Sequence, residues 1–208
     1  MLPCQAKKRQ KMDDGTKTMS QALALGYDII QRKNGESPPE ERFRELEEEI
    51  NRRGFGELRH STSNFPGDRK PVDGMAAREL LYHGINFADS DPFFHAAIGC
   101  SFEHAGKEGP GLVFWAKNPS QLKRFHAGAR STAFIYCSAT NEELHEENGL
   151  FRIVEGSHTM MQGQVDETAT TSIRLRPNEV LIMSSNLTIE YPTAGGGVGI
   201  WMMVYRPK

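Results

Sequence analysis

Cysteine is scarce in this chain: Cys4, Cys100 and Cys137 are the three among 208 residues, and no two stand at CxxC spacing. So sparse and odd a set argues against a disulfide scaffold or a zinc ribbon and fits a reducing compartment. Long apolar runs are missing too. None nears the roughly 18–20 residues that a membrane span needs, so no membrane partner is expected. The opening MLPCQAKKRQKMDDG is basic but has no apolar stretch, from which a cytoplasmic rather than a secreted protein is expected. Nor is there an excess of one charge: 25 Lys plus Arg face 27 Asp plus Glu, a net of −2. That balance removes the bulk electrostatic drive toward nucleic acid.

What is present divides the chain by texture. Residues 1–17 are polar and basic-leaning and are expected to form a disordered arm before a single domain over 18–208. Leu23, Leu25, Tyr27 and Ile30 stand at loose helical spacing and predict a helix from about Met19. Asn34-Gly35 and Pro38-Pro39 break the chain, and the second pair opens a helix over 38–53 with Phe43, Leu46 and Ile50 on one face. Its early glutamates and late arginines complement the two helix ends. Residues 54–73 read as a loop or linker, and short helices are expected at 75–83 and 92–98.

From 111 onward the apolar residues come in short or alternating runs. Strands are predicted at 111–115, 132–137, 150–154, 172–175, 179–183, 187–191 and 198–205. In the last, Val198, Ile200, Met202 and Val204 alternate with Gly199, Trp201, Met203 and Tyr205. Helices and loops over 18–110 followed by a β-core over 111–208 give an α+β fold with two facing antiparallel sheets. Gly195-Gly196-Gly197 has no Lys-Ser/Thr and no following helix, so it reads as a turn rather than a phosphate loop.

The segment TAFIYCSATNEELHEENGLFRIVEGSH runs through Glu147-Asn148-Gly149 into an apolar strand and the loop Glu155-Gly156-Ser157-His158. Downstream, RPNEVLIMSSNLTIEYPTAGGGVGIWMMVYRP repeats a turn, a strand, a turn and a strand. In this order, from 131 to 208, the chain resembles the phytanoyl-CoA dioxygenase family. The resemblance implies a double-stranded β-helix of jelly-roll or cupin type that binds Fe(II) and 2-oxoglutarate. It also implies an oxidoreductase acting on a small apolar metabolite in biosynthetic tailoring.

In such a centre two histidines and a carboxylate hold the iron on one face, and an arginine pairs with the co-substrate carboxylate. Carried over position by position, the resemblance makes His126 the first ligand, although Ala127-Gly128 follow where the family has its acid; some halogenating relatives lack that acid too. His158 is the last histidine, so the distal ligand position falls on Ile189 or Glu190, of which only Glu190 could bind metal. The arginine would fall near Gly199 to Trp201, and Arg206 comes a few residues late.

Other groups have milder readings. His145-Glu146-Glu147 lies in a polar turn, and His95 and His104 flank Cys100 without a third soft ligand nearby. Glu155 and His158 would converge if their loop curls. Trp115, Phe151, Trp201 and Tyr205 either line a pocket in the β-core or simply pack it. Two functions therefore stand side by side. One is an active oxygenase with Fe(II) and 2-oxoglutarate. The other is an inactive relative that stabilises or completes a catalytic homologue in a hetero-oligomer, or a metal-free binding protein or isomerase on the same barrel.

Overall fold

The computed structural model describes residues 18–60, 67–72, 74–115, 122–124, 131–161, 163–166, 168–192 and 194–208. The expected arm over 1–17 lies outside them. Four helices occur among the described residues: α1 (Met19–Leu25), α2 (Glu40–Arg52), α3 (Met75–Tyr82) and α4 (Asp91–Ile98). The strands are β1 (Tyr27–Gln31), β2 (Gly67–Pro71), β3 (Gly106–Trp115), β4 (Leu122–Arg124) and β5 (Thr132–Ser138). They continue with β6 (Arg152–Val154), β7 (Thr170–Thr171), β8 (Glu179–Ser184), β9 (Thr188–Glu190) and β10 (Val198–Tyr205).

These strands form two antiparallel sheets, a six-stranded one in the order β1-β8-β5-β10-β3-β2 and a four-stranded one in the order β4-β9-β6-β7. The fold is α+β, as the sequence predicts. Strand alternation sends successive side chains to opposite faces, and the large sheet is buried on both. On its outer face Leu112, Ile135, Ile182 and Ile200 pack against Phe43, Leu46 and Ile50 of α2 and Leu80 of α3. On its inner face Val113, Phe134, Tyr136 and Leu181 meet Ile153 and Ile189 of the small sheet. Helix α2 thus packs outside the sheets, as the Phe43-Leu46-Ile50 stripe predicts.

Three expectations change. The helix predicted from Met19 stops at Leu25, because Gly26 takes the left-handed conformation (φ 84°) and caps it, with its N–H donating to the carbonyl of Ala22 at 2.9 Å. Tyr27 and Ile30 then belong to a strand paired with β8 rather than to that helix. The stretch 54–73 is not all loop, since it holds β2, an edge strand of the large sheet. Within 172–175 only Leu175 makes a bridge, to Leu144, and the regular pairing lies one step earlier, at Thr170–Thr171.

Candidate functional site

Strand β9 carries the position where a distal ligand is expected. Ile189 is buried between the sheets opposite Ile153, and alternation turns its neighbour Glu190 to the other face of the small sheet. There the Glu190 carboxylate accepts a hydrogen bond from Arg152 Nη1 at 3.1 Å, its directly paired residue on β6. Arg152 also donates to the carbonyl of Thr170 at 3.1 Å and lies 3.4 Å from Glu146. Glu190 is therefore half of a cross-strand ion pair on the outside, and the inward position is a hydrocarbon.

The position expected for an arginine is filled differently. Gly199 on β10 faces inward, and a Cβ placed there would stand 2.0 Å from Tyr136 Cζ, so the Tyr136 ring lies flat against its backbone. Trp115 Nε1 donates to the Tyr136 hydroxyl at 2.9 Å, and Phe151 packs on both, with ring centroids 5.2 and 5.7 Å away. Burial raises the Tyr136 phenol above its ordinary pKa, so it stays neutral and acts as an acceptor. Of the aromatic residues expected in a pocket, Trp115 and Phe151 thus meet in the inter-sheet core, as packing.

The loop holding Glu155 and His158 does not curl them into a pair. Glu155 accepts from the Tyr27 hydroxyl at 2.8 Å, and burial together with that carboxylate pushes the phenol pKa up. His158 stacks instead on the backbone of Gly26, where a Cβ would stand 2.3 Å from its Nδ1. Gly156 N–H donates to the Leu25 carbonyl at 2.8 Å, and Thr188 N–H to Ser157 Oγ at 2.8 Å. These contacts fasten the loop to the α1–β1 corner and to β9.

Among the described residues no three His, Cys, Asp or Glu side chains come together as a metal site. His126 stands two residues beyond β4, outside the described residues. His145 Nδ1 lies 3.9 Å from Glu147 in a polar turn. Arg206 packs beside Gly99 at the end of α4, on the helical side of the large sheet. The described residues therefore bring no such set together, and at Gly199, near where the resemblance would put an arginine, the inward space is occupied by the Tyr136 ring.

One residue escaped the sequence reading. Arg69 on β2 pairs in register with Val113, so it shares the inner face of the large sheet. Its guanidinium lies 4.8 Å from the ring centroid of Trp201 and 5.5 Å from that of Phe134. Strand β2 has no apolar alternation and ends in proline, so nothing in GDRKP distinguishes it from a loop.

No family model matches this chain, and no curated protein does. Solved structures match its fold along almost its whole length. The non-heme alpha-ketoglutarate-dependent carbocyclase SnoK from nogalamycin biosynthesis is 14% identical with a TM-score of 0.60, over 94% of this chain and 87% of that one. EvdO2 from Micromonospora carbonacea var. aurantiaca, complexed with 2-oxoglutarate, is 14% identical with a TM-score of 0.58, over 94% and 91%. AviO1 from Streptomyces viridochromogenes Tue57 is 13% identical with a TM-score of 0.58, over 91% and 93%. The chain shares the fold of these structures, of which SnoK is alpha-ketoglutarate-dependent and EvdO2 is seen with 2-oxoglutarate.

Proposed function

We propose that this chain is a non-catalytic relative of the phytanoyl-CoA dioxygenase type, a double-stranded β-helix that supports an active oxygenase partner. The observation that carries this reading is Tyr136 lying over Gly199, with its hydroxyl held by Trp115. A carboxylate co-substrate needs a charged, enclosed partner there, and the structure has a neutral ring. Both sheets nonetheless keep their apolar faces, so the scaffold is retained, while the described residues bring no metal-binding set together. Its partner would be a catalytic homologue acting on a small apolar metabolite in a tailoring pathway; SnoK, of like fold, is a carbocyclase from nogalamycin biosynthesis.

The test uses anaerobically purified full-length chain supplied with Fe(II) and 2-oxoglutarate. The expected result is neither the ferrous–2-oxoglutarate charge-transfer band nor succinate release by the chain alone. Robust succinate release that chelation abolishes would overturn the proposal.

The rival reading is an active oxygenase in which His126, the first ligand that the resemblance implies, binds the iron. Under it, His126→Ala abolishes stoichiometric iron binding while His145→Ala keeps it. Iron retained in the His126→Ala protein removes that assignment.

A further inference from the structure

Arg69 is a cation held against two rings, with no acid paired to it among the described residues. Its strand, β2, is an edge of the large sheet, and its register with Val113 directs it toward the inter-sheet side. The aromatic faces of Trp201 and Phe134 brace the guanidinium from below. Trp201 can lie flat because Gly111 has no side chain: a Cβ there would stand 2.8 Å from the indole Nε1. Among the described residues Arg69 makes no hydrogen bond and no ion pair. Glu108, exposed on β3, and Tyr191 bias it electrostatically without bonding it. Desolvation against the rings lowers its pKa from the ordinary arginine value, but arginine stays protonated in proteins.

The residue as a whole is exposed although its guanidinium is partly desolvated by the rings, and among the described residues its N–H groups carry no hydrogen bond. A planar fork of donors fixed by stacking loses less freedom on binding than a free side chain does, and its geometry matches a carboxylate. We propose that Arg69, braced on Trp201 and Phe134, is a carboxylate-binding site at the rim of the inter-sheet core, taking the acid group of a small organic ligand. The site requires neither iron nor a second chain, so it stands or falls apart from the partner reading.

The two tryptophans, Trp115 and Trp201, make the test direct. Nitrogen-15-labelled full-length chain shows two indole N–H signals, assigned with Trp115→Phe. One reports the inter-sheet core and the other the ring beneath Arg69. Benzoate, 2-oxoglutarate and the uncharged benzyl alcohol are titrated in without metal.

Saturable movement of the Trp201 signal is expected with an acid and not with the alcohol. Response to benzoate identifies an aromatic acid as the ligand class, and response to 2-oxoglutarate alone identifies the dicarboxylate. Arg69→Gln should weaken the response about tenfold or more, with Arg69→Lys between it and the wild type. An unmoved Trp115 signal verifies that each variant keeps its core. No Trp201 response to either acid, or the same response in Arg69→Gln, overturns the proposal.

Discussion

Tyr136 and Gly199 are a matched pair, and each constrains the other. Gly199→Ala drives a methyl group into the Tyr136 ring. Overpacking of this kind costs about 1–3 kcal/mol, which urea denaturation should read as a lowered midpoint with an unchanged slope. Tyr136→Phe keeps the ring but strips Trp115 Nε1 of its acceptor, and a buried unsatisfied N–H costs about 1–3 kcal/mol. The thiols give a second contrast. Cys137 is buried on β5 beside Arg32, and burial outweighs that cation and pushes the thiol up to about 11. In native protein treated with iodoacetamide at pH 8, mass spectrometry should find Cys137 unmodified, and unfolding should expose it. From sequence alone, Trp115 reads as pocket lining or packing and Gly199 as near the place of an arginine, while Tyr136 has no assigned role. A glycine at 199 reads as a missing arginine until the ring that fills its place is seen.

Elements are joined here by polar clamps that a pattern of apolar residues does not announce. Arg32 follows β1 and is buried, yet it has no carboxylate partner among the described residues. Its guanidinium donates to the Leu80 carbonyl at 2.6 Å, to that of His83, and through Nε to that of Pro177 at 3.3 Å. It thereby satisfies the free carbonyls at the end of α3 while pinning the turn before β8. Arg32→Met should lower stability by about 2–4 kcal/mol in urea denaturation, and Arg32→Lys should not restore it, because a point charge cannot span three acceptors.

His158 clamps the α1–β1 corner in its neutral form. Burial lowers its pKa below the ordinary 6.5, outweighing a backbone contact at Leu23 that favours the charge. The unfolded chain therefore takes up the proton first, and stability present above pH 6.5 is lost as pH falls below it. Melting temperature measured against pH should fall more steeply below 6.5 in the wild type than in His158→Gln.

For the whole molecule, the sequence showed most where burial is one-sided and periodic. Helix α2 was legible from Phe43, Leu46 and Ile50, and β10 from its strict alternation. Strand β1 was not, because Tyr27-Asp28-Ile29-Ile30 fits a helix equally well until the left-handed Gly26 divides them. Strand β2 was not, because an edge strand exposed on one side needs few apolar residues. The candidate site was legible only in outline. Ile189 stood where a ligand was expected, and the structure places it in the core while Glu190 turns out to Arg152. Arg69 depends on a pairing between residues 44 positions apart in sequence, Arg69 and Val113, which no local pattern carries. Among the described residues no helix is long and apolar enough to cross a membrane.

The ring of Tyr136 against Gly199 also sets the order in which substitutions can accumulate. An arginine cannot be introduced at 199 while that ring is present, since even its first carbon overlaps it. Shrinking residue 136 first strands the Trp115 N–H and opens a void beside Phe151. Either single step passes through a less stable protein, so the two changes are strongly non-additive. The aromatic lock therefore works as a ratchet: whichever of the two residues changes first is opposed by the other, so the pair is exchanged together or kept.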